Sequence, residues 1–104
     1  MPEVRLCSLD DLAPDTATLV EVADHKIAVV RIGDDVYAID DTCSHGRYSL
    51  SEGEVWTDEL EIECPKHGST FCLLTGIPQS LPATRPVAVY PVRVGGPDVY
   101  AELS

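Results

Sequence analysis

Two short motifs hold the side chains of this sequence that are best suited to metal chemistry. The first places Cys43 two residues before His45, and the second places Cys64 three residues before His67. A glycine follows each histidine directly, and eighteen residues (46–63) separate the two motifs. Thiolate is a soft metal ligand and imidazole a borderline one, so the two motifs together offer a metal centre two sulfur and two nitrogen ligands.

A [2Fe–2S] cluster in which two histidines replace two cysteines on one iron needs this set of ligands. If each motif supplies one cysteine and one histidine, the cluster joins the two loops. The glycines allow the backbone to come close to the cluster without a Cβ clash. Backbone N–H groups near the cluster can donate hydrogen bonds to its sulfurs and so tune the reduction potential.

Three other interpretations of the motifs compete with an iron–sulfur cluster. A structural zinc site also uses two cysteines and two histidines, but zinc motifs usually pair like ligands, and this spacing fits them poorly. A disulfide between Cys43 and Cys64 leaves both histidines unexplained. A Cys–His nucleophile is possible in principle, but it does not explain why the motif occurs twice.

Segments with the pattern of β-strands flank the motif region on both sides. Residues 27–32 form a mostly apolar, β-branched run, which predicts a well-buried strand. The Gly-Asp-Asp run at 33–35 predicts a hairpin turn into the next strand. The predicted strands are 4–9, 18–22, 27–32, 36–39, 87–94 and 99–103.

The strand pattern stops at about residue 41 and returns after about residue 82. We therefore predict a single all-β domain over residues 1–104, an antiparallel sandwich or barrel with a loop-rich insertion at about 41–82. An insertion of about 40 residues inside a compact domain needs something that holds it, and a metal centre is the obvious candidate.

The composition limits the classes of function. The chain has 104 residues, 18 Asp and Glu against 7 Lys and Arg, and a formal net charge of −11. Nucleic acids and anionic membranes attract basic surfaces, so neither is an expected partner. No apolar run approaches the roughly 18 to 20 residues of a membrane span, and no signal-peptide pattern begins the sequence. We therefore expect a cytoplasmic protein, in which thiols stay reduced.

Residues around the motifs make the sequence recognisable. A Ser-Leu-Ser-Glu-Gly run at 49–53 lies between the motifs, and Phe-Cys-Leu at 71–73 and Thr-Gly at 75–76 follow the second one. With these residues the sequence resembles the Rieske proteins, in particular the small Rieske-type ferredoxins of multicomponent bacterial aromatic-ring dioxygenases, such as the biphenyl and phenylpropionate systems. The resemblance covers nearly the whole chain, which implies one Rieske domain with its cluster-binding subdomain inserted in a β base.

The resemblance implies a role for each motif residue and for a third loop. The two cysteines bind one iron of a single [2Fe–2S] cluster, and the two histidines bind the other iron at the solvent edge. Leu81 and Pro82 match the proline loop that shields the cluster from a third side, and Pro78 is a further candidate for that loop. The implied cluster ligands are Cys43, His45, Cys64 and His67.

Two departures from the high-potential Rieske proteins of respiratory complexes are informative. Tyr48 and Lys66 occupy the positions of the two cysteines that form a disulfide there, so this chain has no such bond. Phe71 replaces a tyrosine that donates a hydrogen bond near the cluster, whereas Ser69 keeps the position of a serine donor. Fewer donors lower the potential, and we predict a value of roughly −150 to 0 mV.

The resemblance implies an electron carrier in aromatic hydrocarbon catabolism. It would take one electron at a time from a ferredoxin reductase with FAD and NAD(P)H and deliver it to a terminal Rieske oxygenase. With two histidines in the motifs, the sequence has no triad of two histidines and a carboxylate for a mononuclear iron. It also has no Gly-rich dinucleotide fingerprint. We therefore predict a monomeric electron-transfer component and not an enzyme. The alternative is a permanent Rieske small subunit of a larger reductase or oxidase, such as nitrite reductase.

Four further residues have simpler predicted roles. Cys7 and Cys72 are predicted to be small buried core residues. His25 is predicted to be a solvated turn residue, and Trp56 to be a packing anchor for the long loop.

Overall fold

A computed structural model describes residues 3–22, 24–43, 48–66, 68–79 and 85–103. Within these ranges the chain forms short strands and two single-turn 3-10 helices, Leu9–Asp11 and Leu50–Glu52. No helix in the described ranges is long and apolar enough to cross a membrane. The strands are β1 Glu3–Ser8, β2 Thr16–Val22, β3 His25–Ile32, β4 Asp35–Asp40, β5 Val55–Trp56, β6 Glu61–Glu63, β7 Thr70–Cys72, β8 Val89–Tyr90, β9 Val92–Gly95 and β10 Asp98–Glu102.

The strands form three antiparallel sheets. The central sheet has the order β2-β3-β4-β8, and the second has the order β1-β10-β9. The third sheet, β5-β6-β7, lies wholly within the predicted insertion. The prediction of an all-β, antiparallel fold is confirmed, since strands are 54% of the structure and helices 7%.

Strand β3 is buried on both faces, because the central sheet lies between two apolar cores. Successive side chains of a strand point to opposite faces of its sheet. Ala28 and Val30 face the core shared with the β5-β6-β7 sheet. Ile27 and Val29 face the core shared with the β1-β10-β9 sheet. A strand with two buried faces needs a continuous apolar run, which explains the sequence of β3.

The core next to the inserted sheet positions the motif region. Its buried members come from the central strands, from the inserted sheet and from both motifs, and all are nearly inaccessible to solvent. Burial of apolar surface in this core holds the insertion against the β base, and it contributes about 25 cal/mol of stabilising free energy per Å². The buried residues are Ala28, Val30, Ile39, Cys43, Leu50, Ile62, Cys64, Phe71, Leu73 and Val87.

The predicted strands differ from the observed ones in their limits, and two of these differences are informative. The strand predicted at 27–32 begins two residues too late, because β3 already begins at His25, which pairs with Val22. The predicted strand at 87–94 is interrupted at Pro91, so that β8 pairs with β4 and β9 pairs with β10. Proline has no N–H to donate to a ladder, and the break lets the chain pass from one sheet to the other.

Candidate metal centre

The two predicted cysteine ligands lie in the same apolar core. The exposed fraction is 2% for Cys43 and 0% for Cys64. Both belong to the cluster of buried residues between the central sheet and the inserted sheet. All four cysteines lie in the described part of the chain, and none forms a disulfide.

The two motif loops are closed in the same way. The N–H of Cys43 donates to the carbonyl of Tyr48 at 2.9 Å, and the N–H of Cys64 donates to the carbonyl of Ser69 at 2.7 Å. In both loops the acceptor is five residues after the cysteine. We call the segments 43–48 and 64–69 loop 1 and loop 2. Each cysteine is thus the first residue of a six-residue hairpin loop.

An antiparallel pair of residues flanks each loop. Thr42 forms an antiparallel bridge with Ser49 around loop 1, and Glu63 pairs with Thr70 around loop 2. The predicted ligands His45 and His67 belong to these loops by sequence, but they lie outside the described residues, as do Leu81 and Pro82. The structure therefore brings together the two cysteines and the ends of both loops.

Glycine is required near the end of loop 2. Gly68 has φ +74°, a left-handed conformation that residues with a Cβ rarely adopt. Its N–H donates to the carbonyl of Cys64 at 3.0 Å, which tightens the loop directly after the position of the predicted histidine ligand.

A buried carboxylate supports loop 1. Asp41 is 3% exposed and lies two residues before Cys43. Its Oδ2 accepts from the Ser49 hydroxyl at 2.5 Å, and its Oδ1 accepts from the N–H of Ser51 at 2.8 Å. Asp41 is not among the predicted site residues, although the sequence has an aspartate before the first cysteine and serines at 49 and 51.

Lys66 and Tyr48 link the two loops at the surface. The Lys66 ammonium lies 5.9 Å from the centroid of the Tyr48 ring, within the range of a cation–π contact. Tyr48 is 40% exposed. Respiratory Rieske proteins carry disulfide-bonded cysteines at these two positions. Here the two side chains are in contact without a covalent bond.

Phe71 and Ser69 lie where they can affect the environment of the cysteines. Both are fully buried. Phe71 has no donor atom, so it supplies apolar contact alone. Pro78 forms an isolated bridge with Phe71, which places it at the edge of the inserted sheet, shortly before the segment predicted as the proline loop.

Trp56, the predicted packing anchor, and Cys72, a predicted core residue, are both more exposed than expected. Trp56 is 39% exposed in β5 and is not a member of either buried core. Cys72 is partly exposed, because the register pairs it with Glu61 on the outer face of the inserted sheet. Burial acts to raise the pKa of the Cys72 thiol, but hydrogen bonds from Thr75 and from the N–H groups of Leu74 and Thr75 lower it below its usual value.

His25 and Cys7 are also placed differently from their predictions. His25 lies in β3, and its ring contacts Tyr90 edge-on with centroids 5.8 Å apart. Cys7 is half-buried beside the second core, where burial raises the pKa of its thiol. Cys7 and the Tyr90 partner of His25 belong to the second core, whereas Cys43 and Cys64 lie in the first.

The described residues fit a cluster with mixed ligands. Two cysteines lie in one water-excluded core at equivalent positions of two matching loops, and each loop also contains a histidine by sequence. Zinc motifs pair like ligands in one loop, whereas here each loop carries one ligand of each kind. The donor set and its division between loops therefore favour a histidine- and cysteine-bound [2Fe–2S] cluster.

Comparisons with known proteins agree with this arrangement. The family model for the Rieske [2Fe–2S] domain matches residues 3–91. The 3-phenylpropionate/cinnamic acid dioxygenase ferredoxin subunit of Escherichia coli (strain K12) is 40% identical over 103 residues, which cover 99% of this chain and 95% of that protein.

Solved structures agree over nearly the same length. The ferredoxin of carbazole 1,9a-dioxygenase from Nocardioides aromaticivorans IC177 has a TM-score of 0.93 at 40% identity and covers 97% of each chain. A complex of reduced oxygenase and oxidized ferredoxin in carbazole 1,9a-dioxygenase contains a chain with a TM-score of 0.85 at 43% identity, covering 95% of this chain and 91% of that one. The chain therefore belongs to the Rieske [2Fe–2S] family, as a ferredoxin of the dioxygenase type.

Proposed function

We propose that Cys43, His45, Cys64 and His67 bind one [2Fe–2S] cluster, and that the chain carries single electrons from a reductase with FAD and NAD(P)H to a terminal aromatic-ring-hydroxylating oxygenase. The observation that carries the proposal is the burial of Cys43 and Cys64 in one core, at matching positions of two loops. The proposed unit is one Rieske domain over residues 1–104, with the cluster-binding subdomain at about 41–82.

When bound, the cluster supplies one-electron redox chemistry. The chain's own residues hold it and control access to it. The core around Cys43 and Cys64 excludes water from the sulfur side of the site. Tyr48, which ends loop 1, and Lys66, which lies within loop 2, are both exposed, so an electron has only a short path between the site and a docked partner.

We propose that the chain catalyses no reaction by itself. Oxygen activation at a non-haem iron commonly needs two histidines and a carboxylate. The chain has three histidines, and the proposal assigns two of them to the cluster. The third, His25, contacts Tyr90 in the β base. The protein's part is therefore to hold the cluster near the surface and to set its potential.

The partner assignment has support of two kinds. A 43% identical ferredoxin has been captured in a complex with its oxygenase, which supports an oxygenase partner for this chain. The reductase follows from the chemistry, because a carrier that delivers single electrons needs a donor that releases them singly. Docking should be weak and transient, as suits electron-transfer encounters, and we propose that the free carrier is a monomer in the cytoplasm.

One experiment tests the cluster and the carrier function together. The dithionite-reduced protein should give a rhombic EPR signal with an average g-value well below that of all-cysteine [2Fe–2S] ferredoxins. In stopped flow, the reduced protein should then reoxidise on mixing with a terminal oxygenase from a related dioxygenase system. A silent spectrum with one zinc per chain would refute the cluster proposal.

Gel filtration separates the carrier from its alternative. A permanent small subunit of a larger reductase or oxidase, such as nitrite reductase, should co-elute with a large subunit from its native source. A carrier should elute at the size expected from its 104 residues. Stable co-elution with a large subunit would overturn the carrier proposal while leaving the cluster proposal intact.

A further inference from the structure

Loop 1 and loop 2 differ in how the fold holds their ends. Loop 2 emerges from a ladder of three pairs between β6 and β7, which join Glu61 to Cys72, Ile62 to Phe71 and Glu63 to Thr70. Around loop 1, the described residues form a single isolated bridge between Thr42 and Ser49. One bridge fixes a loop poorly, so loop 1 needs another anchor.

Asp41 supplies that anchor through its side chain and its backbone. The carboxylate accepts from the Ser49 hydroxyl at 2.5 Å and from the Ser51 N–H at 2.8 Å. The carbonyl of Asp41 accepts from the N–H of Leu50 at 2.6 Å, and its N–H donates to the carbonyl of Lys26 at 2.9 Å. These bonds join the start of loop 1 to the segment after it and to strand β3.

A further hydrogen bond joins the side chain of Ser49 to that of Ser51. The Ser49 Oγ lies 2.8 Å from the Oγ of Ser51. Since the Ser49 proton goes to Asp41, the Ser51 hydroxyl is the donor in this pair. The three side chains therefore form one ordered chain of donors that ends on the carboxylate, and such a chain strengthens each of its bonds.

Hydrogen bonds compensate the charge of Asp41 in the described structure. Both carboxylate oxygens act as acceptors, as an ionised carboxylate requires. The ion pairs among the described residues are Arg5–Asp98 and Arg93–Glu3, and neither includes Asp41. A negative charge that is 3% exposed acts in a medium of low dielectric, where its effect on a neighbouring charge is larger than at the surface.

We propose that Asp41 is the positioning residue of loop 1 and that its buried charge lowers the reduction potential of the centre. The inference rests on the proposed ligand set, because Asp41 matters for the potential only if Cys43 is a ligand. Added electron density next to a buried negative charge is unfavourable, so the charge disfavours the reduced state. The same hydrogen bonds keep loop 1 closed around its ligands.

The variant Asp41→Asn tests the charge. It keeps the size of the side chain and one acceptor oxygen. We expect the equilibrium constant for one-electron reduction to rise three- to tenfold, which is about 30 to 60 mV at 59 mV per tenfold. The matched control is Glu52→Gln, which removes the same charge from an exposed neighbour of Ser51. An unchanged potential in Asp41→Asn, or an equal shift in the control, overturns the role of the charge.

The variant Ser49→Ala tests the positioning. It keeps the carboxylate but removes a hydrogen bond to a charged group, and we expect the cluster to be lost about tenfold faster, measured by visible absorbance with an iron chelator. The reduction potential of this variant should fall, because the Asp41 carboxylate loses the hydrogen bond donated by Ser49. Unchanged cluster loss overturns the positioning role. A potential equal to or above that of the natural protein overturns the charge role, even if Asp41→Asn does not fold.

These measurements separate the two proposals. They need no partner protein, so they do not depend on the identity of the oxygenase or reductase. If the natural sequence shows no Rieske-type EPR signal, the proposed ligand set fails. If the signal is present and the variants behave like the natural protein, only the role of Asp41 fails.

Discussion

The Lys66 ammonium lies 5.9 Å from the centroid of the Tyr48 ring, so each motif loop contributes one partner to a single cation–π contact. Tyr48 ends loop 1, and Lys66 lies within loop 2. A contact between two loops that must stay together around a common ligand limits their separation. It does so at the surface, whereas the cysteines are held together in the core.

The Tyr48–Lys66 contact should be measurable as a coupling energy. Tyr48→Leu and Lys66→Met each remove one partner, whereas Tyr48→Phe and Lys66→Arg keep a ring and a cation. In a double-mutant cycle on the rate of cluster loss, we expect a coupling of about 0.5 to 1 kcal/mol for the disruptive pair. The conservative variants should behave like the natural protein. Strict additivity of Tyr48→Leu and Lys66→Met would show that the contact stabilises nothing.

The proposed ligands predict a sharp difference between cysteines. Cys43→Ser should lose most of the cluster, because serine replaces a soft ligand inside the apolar core. Cys72→Ser is the matched control, since Cys72 has the same chemistry but lies partly exposed on the outer face of the inserted sheet. Iron and sulfide analysis of both variants makes the comparison. Full iron and sulfide in Cys43→Ser would remove Cys43 from the ligand set.

The alkylation rates of the Cys7 and Cys72 thiols should depend differently on pH. Hydrogen bonds that include the Thr75 hydroxyl hold the pKa of Cys72 below its usual value of 9.0, while burial holds that of Cys7 above it. The thiolate is the reactive form, so alkylation of Cys72 by iodoacetamide should reach half its maximal rate at a lower pH than alkylation of Cys7.

Peptide mass spectrometry across a pH series gives both alkylation rates. Thr75→Val removes the hydroxyl donor and should move the Cys72 profile to higher pH, while the Cys7 profile stays in place. If Cys7 reacted at lower pH than Cys72, the hydrogen bonds around Cys72 would not stabilise its thiolate.

Sequence reasoning succeeded where a local pattern decides the structure. The apolar run in β3 predicted a buried strand, and the interruption of the strand pattern predicted that both cysteine motifs lie in loops of one insertion. It failed for His25 and Trp56, because neighbouring residues do not determine which face of a sheet is covered. His25 was assigned to a turn that is in fact shorter, and Trp56 lies on a face that the described core does not cover.

The hydrogen bonds that hold loop 1 could not be predicted from the sequence either, because they also depend on the tertiary structure. The bond from Ser49 to Asp41 closes eight residues of chain. A serine and an aspartate at that spacing occur in many loops without contact. Only the bridge between Thr42 and Ser49, together with burial under the β base, turns the pair into an anchor. The network is a tertiary feature made of common residues.

The acidic surface should affect the rate of electron transfer. With a net charge of −11, the chain is attracted to a basic docking surface on a partner, and salt screens that attraction. The second-order rate of reduction of a terminal oxygenase should therefore fall up to about tenfold between roughly 0.05 and 0.5 M ionic strength. Stopped-flow absorbance measures this rate. A rate independent of salt would limit the charge to a role in solubility.

Two matched double variants locate the docking surface. Glu52→Gln with Glu54→Gln removes two exposed charges beside the network that holds loop 1, and Asp34→Asn with Asp35→Asn removes two from the hairpin between β3 and β4. That hairpin lies at the opposite end of β3 from Lys26, which contacts Asp41. If partners dock at the loops, the first variant should slow electron transfer at low salt more than the second. Equal effects would mean that net charge, and not a local surface, steers the encounter.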